Sequence, residues 1–297
     1  MPRSSRPRRS VLYMPGSNAR ALEKARTLAA DCLILDMEDS VAADAKLTAR
    51  EQIGAAIAEG DYGHREIIVR TNSLDSAWGE GDLKAVAAMD ADAVLLPKVE
   101  NAEMVRDAET ILNAAGNHKI AIWCMMETPL GMLQAQEVAF ASTRVTCLVM
   151  GTSDLAKDLH AAHTRERIPF MTSLGLCILA ARAARIAILD GVHLDLSDDE
   201  GLHEACIQGR QLGMDGKTLI HPKTIAIANE CFAPSEEELA WSRRIIEAHA
   251  EAEKEGKGVV LVDGRLVENL HVEGAQRVVI MAEAIAAMES DVQTAAE

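Results

Sequence analysis

The chain has 297 residues, of which 48% are hydrophobic and only 3% aromatic, and its formal net charge is −16. That length suits two modest domains or one barrel-sized domain with an extension, around a core of aliphatic residues and methionine. The acidity argues against a nucleic-acid binder, which needs a basic face. No apolar run is long enough to span a bilayer and the start lacks a signal-peptide pattern, so a cytoplasmic protein is expected.

The opening Arg3, Arg6, Arg8 and Arg9 read as a solvated N-terminal arm, with a phosphate contact or a contact to a neighbouring subunit as the alternatives. Eight short apolar runs then follow at residues 11–14, 32–35, 67–69, 93–96, 120–126, 146–150, 186–189 and, more weakly, 217–220. Helical periodicity lies between them. Ala21, Leu22, Ala25, Leu28 and Ala29 share one face; Val86 and Met89 recur before the fourth run; residues 174–184 form a small-residue helix. The runs are nearly all apolar rather than alternating, so they predict a parallel sheet covered on both faces. Eight such strands close into a (β/α)8 barrel. An open doubly wound sheet is the alternative, but Pro15, Gly16, Ser17 and Asn18 after the first run are not a glycine-rich phosphate loop.

The barrel is expected to span 1–230. The remaining 231–297 read as a helix–hairpin–helix lid or arm that packs on something else. Ser235 and Glu238 form a capping box, and the helix they open continues to about Lys254. Residues 259–262 and 266–267 flank Asp263 and Gly264 as a hairpin, and a last helix covers 274–288. Six scattered cysteines, with no Cys-x-x-Cys pair, read as reduced and buried.

Active sites of such barrels lie at the carboxyl ends of the strands. The residues ending the runs are therefore informative as a set: Asp36 with Glu38 and Asp39, Arg70, Lys98, Glu127, Asp154, Asp190 and Lys217. Carboxylates without thiolates or paired histidines favour a hard cation, magnesium or manganese, over zinc. Each residue also has a local reading. Glu127 fits a first-turn helix acid, Asp154 an N-cap, Arg70 an ion-pair partner, and Lys98 a brace for a carboxylate. Asp190 and Lys217 fit a structural pair, Met125 and Met126 the core, and His221 a hydrogen-bonded packing residue.

Twelve segments in order carry a family pattern. They include 9–16 (Arg-Ser-Val-Leu-Tyr-Met-Pro-Gly), 35–41 (Leu-Asp-Met-Glu-Asp-Ser-Val) with Lys46 and Arg50, 69–72 (Val-Arg-Thr-Asn), 96–99 (Leu-Pro-Lys-Val), 126–128 (Met-Glu-Thr), 150–155 (Met-Gly-Thr-Ser-Asp-Leu), 212–217 (Leu-Gly-Met-Asp-Gly-Lys) and 220–222 (Ile-His-Pro). The chain thereby resembles the HpcH/HpaI aldolase and citrate-lyase β-subunit family, in its CoA-ester branch. The resemblance implies a small acyl-CoA substrate and a homotrimer or homohexamer in which 231–297 packs on a neighbouring subunit as a lid over its active site. It implies that Glu127 and Asp154 bind Mg2+, that Arg70, Glu127, Leu155 and Asp190 bind substrate, and that Tyr13, Asn18 and Lys24 touch CoA. In the tail, Glu268 stands where the carbon–carbon lyases of the family carry aspartate, and Glu268 to His271 resembles the branch that hydrolyses (3S)-malyl-CoA. Glu268 is then expected as a general base with His271 assisting; docking the arm is the alternative role of both. The alternatives to hydrolysis are cleavage to acetyl-CoA and glyoxylate, aldol chemistry on free 2-keto acids, and a subunit acting on an acyl-carrier partner.

Overall fold

The computed structural model describes residues 6–295, with side chains through residue 290. The chain divides into two compact units, Arg8–Phe232 and a second that begins at Ala233.

The first unit is a closed barrel of eight parallel strands taken in sequence order: β1 (Ser10–Pro15), β2 (Cys32–Asp36), β3 (Glu66–Arg70), β4 (Ala93–Leu96), β5 (Ala121–Met126), β6 (Val145–Met150), β7 (Ala187–Asp190) and β8 (Gly216–Leu219). Main helices cover its outside, including α1 (Ala19–Ala25), α2 (Lys46–Glu59), α3 (Gly79–Ala87), α4 (Ala102–Ala114), α5 (Pro129–Leu133), α6 (Ala135–Ala139), α7 (Thr152–Asp158), α8 (Met171–Ala184), α9 (Asp199–Leu212) and α10 (Ile225–Phe232). All five residues of β2 and of β3 are buried, as strands walled by helices outside and by side chains inside must be. Alternation sorts them. Cys32 and Ile34 join Ile68, Trp123, Met125 and Val149 in the barrel interior, while Leu33, Leu35 and Val69 pack outward against the helices. Carrying the inward series one step further along β2, β3 and β5 leads to Asp36, Arg70 and Glu127. The period-two pleat therefore delivers the charged set to the carboxyl-end mouth.

The amino-terminal mouth is closed differently, and the sequence expectation of a solvated arginine arm is corrected there. Arg8 and Arg9 are buried. Arg8 lies 4.9 Å from the Trp123 ring centroid and donates two hydrogen bonds, of 2.6 and 2.7 Å, to Glu66. Arg9 makes two side-chain hydrogen bonds of 2.9 Å to Asp31. Their partners sit beside β2 and on β3, far away in sequence, so local composition carried no sign of them. Arg3 lies outside the described residues.

The second unit contains α11 (Glu236–Lys254), the antiparallel strands β9 (Val260–Val262) and β10 (Arg265–Val267), and α12 (Asn269–Ala295). The capping box opening α11 is present: the Ser235 N–H donates to Glu238 at 2.8 Å, and the Glu238 N–H donates to the Ser235 hydroxyl at 3.1 Å. The hairpin turns on Asp263 and Gly264, both left-handed with φ of 48° and 77°, as a two-residue turn between right-twisted strands requires. Ile245, Val262, Val267 and Ala275 form this unit's own core. The last helix begins at Asn269 rather than at Gly274, because Gly274 is accommodated inside it. All six cysteines are free and buried. No helix among the described residues is long and apolar enough to cross a membrane.

Candidate active site

The site is built on neighbouring strand ends. Register pairs Asp36 with Arg70, and the Arg70 guanidinium donates two hydrogen bonds of 2.7 Å to the Asp36 carboxylate in a fork-to-fork pair. Arg70 Nη1 also lies 2.9 Å from Glu38 and 3.5 Å from Asp39, and the guanidinium covers the Tyr13 ring at 4.8 Å. Burial alone would raise the Asp36 pKa, but the Arg70 charge and hydrogen bonds outweigh it and hold the carboxyl below its ordinary value. Burial works against the Arg70 charge too, and Asp36 more than restores it. Glu38 keeps a raised pKa because burial exceeds what Arg70 and Lys98 return.

Lys98 connects this cluster to Glu127. Its ammonium pairs with Glu38, and its backbone N–H donates to Glu127 Oε1 at 2.7 Å. Lys98 has φ of 50°, a left-handed conformation that costs a side-chain-bearing residue roughly 1 kcal/mol or more, and that persists only where surroundings hold it. Glu127 is 1% exposed, and burial pushes its pKa up to about 7 against the opposing charge of Lys98. The β5–β6 register sets Met126 beside Met150, so Glu127 meets Gly151. A Cβ on Gly151 would fall 2.5 Å from Glu127 Oε2 and closer still to Glu127 Cβ, so only glycine fits. Three residues on, in the first turn of α7, stands half-buried Asp154, whose carboxylate has no hydrogen-bond or ion-pair partner among the described residues. No group of three or more His, Cys, Asp and Glu side chains is placed to hold a metal ion among the described residues.

The other expected residues fall into distinct places. Tyr13 is half-buried, with its hydroxyl 3.5 Å from Met125 Sδ, and burial raises its pKa. Asn18 is exposed and caps α1 through its side-chain oxygen, which accepts from the Ala21 N–H at 3.1 Å; Lys24 is exposed in the last turn of that helix. The Leu155 side chain is fully buried. Asp190 is fully buried as well, and its carboxylate accepts from Lys217 at 2.8 Å, from Arg167 at 2.6 and 2.7 Å and from the Gly191 N–H at 2.9 Å. The Asp190–Lys217 pairing is the one the sequence allows; Arg167 was missed, since it comes from a polar loop without periodicity. His221 Nδ1 accepts from the Lys223 N–H at 3.1 Å, a local cap. On the second unit, half-buried Glu268 precedes α12, and its backbone N–H donates to Nδ1 of exposed His271 at 3.0 Å. The neutral imidazole thus carries its proton on Nε2. A separate surface cavity of about 330 Å³ in that unit is lined by Glu237, Glu238, Trp241, Arg244, Asp263 and Arg265.

The closed parallel barrel and the ordered motifs have counterparts among known proteins. The HpcH/HpaI aldolase/citrate lyase family model matches residues 9–222. A (3S)-malyl-CoA thioesterase of Cereibacter sphaeroides is 50% identical over 290 residues, covering 98% of this chain and 100% of that one. Citrate lyase subunit beta of Escherichia coli is 36% identical, covering 95% of each chain. CitE from Mycobacterium tuberculosis, solved in complex with magnesium, acetoacetate and coenzyme A, superposes with a TM-score of 0.76 at 28% identity over 92% of this chain and 97% of that one. The ordered motifs, the closed barrel and these matches lead to one conclusion: the chain belongs to the HpcH/HpaI aldolase/citrate lyase family.

Proposed function

We propose that the protein is a magnesium-dependent thioesterase that hydrolyses (3S)-malyl-CoA, or a similar 3-hydroxyacyl-CoA, to the free acid and CoA. The observation that carries this reading is the 50% identity maintained along the whole length of a relative of that activity. The donors fit a hard divalent cation. Glu127 Oε2 and the Asp154 carboxylate have no protein partner among the described residues, and a two-carboxylate set leaves room for the substrate and water ligands that magnesium keeps. Manganese suits the same oxygens. When bound, the ion supplies Lewis acidity to the substrate's carboxylate and hydroxyl oxygens.

The chain's own groups divide the remaining work. Arg70, locked by Asp36 and Glu38, presents fixed positive charge where the thioester oxygen becomes negative, with no reorganisation during reaction. Glu268 takes the proton from the attacking water, with His271 assisting. Water oxygen bonds to the acyl carbon, the carbon–sulfur bond breaks, and CoA leaves as the thiolate. Tyr13, Asn18 and Lys24, at the end of β1 and on or just before α1, contact CoA. The resemblance and the exposed Leu261, Leu266 and Leu270 of the second unit support a homotrimer or homohexamer, and six free cysteines support the cytoplasm. Product analysis with (3S)-malyl-CoA tests the reading. Malate plus free CoA is expected; acetyl-CoA plus glyoxylate refutes hydrolysis.

A further inference from the structure

We propose that Lys98 is a positioning residue that aligns both ends of the site through two separate arms: its backbone N–H fixes Glu127, and its ammonium fixes Glu38 against Arg70. The inference deepens the reading of Glu127 as a magnesium ligand and rests on it for the first arm. Lys98 sits between Pro97, which has no N–H, and Val99, whose N–H is given to Met125 O at 3.2 Å. The N–H between them, at the left-handed Lys98 with φ of 50°, points at Glu127 Oε1, 2.7 Å away. With Oε1 held there, Oε2 faces Gly151, and so the turn that carries Asp154.

Glycine would adopt this backbone without a steric penalty. A lysine at the position is explained by its side chain. The ammonium pairs with Glu38 and lies 3.9 Å from Asp39; Glu38 in turn meets Arg70 Nη1 at 2.9 Å. One residue thereby holds the cation-binding carboxylate with its backbone and the anion-stabilising guanidinium, through Glu38, with its side chain.

Two variants separate the arms. Lys98→Gly keeps the N–H and relaxes the backbone but deletes the ammonium. Lys98→Val also drives the backbone out of the left-handed region, where β-branched residues are outliers. Magnesium affinity is read by calorimetry without substrate, alongside kcat, KM and Tm. For Lys98→Gly we expect magnesium affinity within about threefold of wild type, Tm equal or higher, and kcat/KM down about tenfold or more as Arg70 loosens. For Lys98→Val we expect magnesium affinity to fall about tenfold as well, because the carboxylate loses a charge-assisted hydrogen bond. If Lys98→Val does not fold, Lys98→Ala replaces it and lies between the two. Wild-type kcat/KM in Lys98→Gly overturns the ammonium arm; equal magnesium affinity in the two variants overturns the N–H arm. Failure of the wild type to bind magnesium overturns the metal reading and the N–H arm with it, while the kcat/KM of Lys98→Gly still decides the ammonium arm.

Discussion

Replacing Gly151 by alanine adds one methyl group, removes no charged group, and is expected to disable the enzyme. The new Cβ falls 2.5 Å from Glu127 Oε2. Unbonded heavy atoms rest near 3.5 Å, so about 1 Å must be found. Rotating the carboxylate relieves only part of the clash, because the Glu127 Cβ is closer still and is fixed by β5. The strand ends must part, or Glu127 must swing away from the Lys98 N–H. Overpacking of this kind costs about 1–3 kcal/mol of stability, which lowers Tm by only several degrees in a chain of this size. A 1 Å misplacement at a reacting centre costs about 100-fold in rate. Steady-state hydrolysis of (3S)-malyl-CoA at saturating magnesium, with thermal unfolding in parallel, separates the two effects. Expected is a loss of about 100-fold in kcat/KM with the fold retained. Activity within about threefold of wild type would refute the close packing of Glu127 against the β6 end as a determinant of catalysis.

Three further outcomes follow from the same geometry. Glu127→Gln and Asp154→Asn should each abolish magnesium-dependent turnover while leaving circular dichroism and Tm close to wild type; turnover that persists in either counts against the two-carboxylate site. Asp190→Asn should destabilise the barrel by about 3–5 kcal/mol at pH 7, since it breaks a buried ion pair from one side. Burial would raise the Asp190 pKa, but Lys217 and Arg167 hold it below its ordinary value, so its stabilisation is full above the unfolded carboxylate value and is lost as pH falls through the lower, folded one. Denaturant titrations should show the gap between variant and wild type closing over that acidic window, and a pH-independent gap would refute the ion pair as its source. Glu268→Asp shortens the proposed base by one methylene, and the measured ratio of acetyl-CoA to free CoA should shift; an unchanged ratio removes Glu268 from the chemistry.

The strands were legible because each is an apolar run that stops at a charged or turn residue, and the structure moves their ends by only a residue or two, as at β7, which starts at Ala187 rather than Ile186. The convergence of Asp36, Arg70 and Glu127 was legible for the same reason: they stand at the carboxyl ends of β2, β3 and β5 with the same inward parity. What escaped the sequence was pairing over distance. Nothing near Arg8 announces Glu66, 58 residues later, and nothing near Asp190 announces Arg167. Backbone state escaped too. The left-handed turn at Lys98 is hidden because lysine is not a residue that signals positive φ, whereas Asp263 and Gly264 signalled their turn plainly. Gly274 misled in the opposite direction, since a single glycine is tolerated inside a long helix.

The sequestered cysteines bear on how the molecule coexists with its chemistry. Burial pushes the Cys124, Cys177 and Cys206 thiols up to about 12, and all six sulfurs lie beneath the surface. A thiolate in reach of an activated acyl group invites transfer onto the protein, and one in reach of liberated pantetheine sulfur invites mixed disulfides under oxidising conditions. This chain withholds both partners. Its surface stays inert towards the very functional groups it handles, and a single cysteine introduced on an exposed helix would be the one position at which a thiol-selective dye reports.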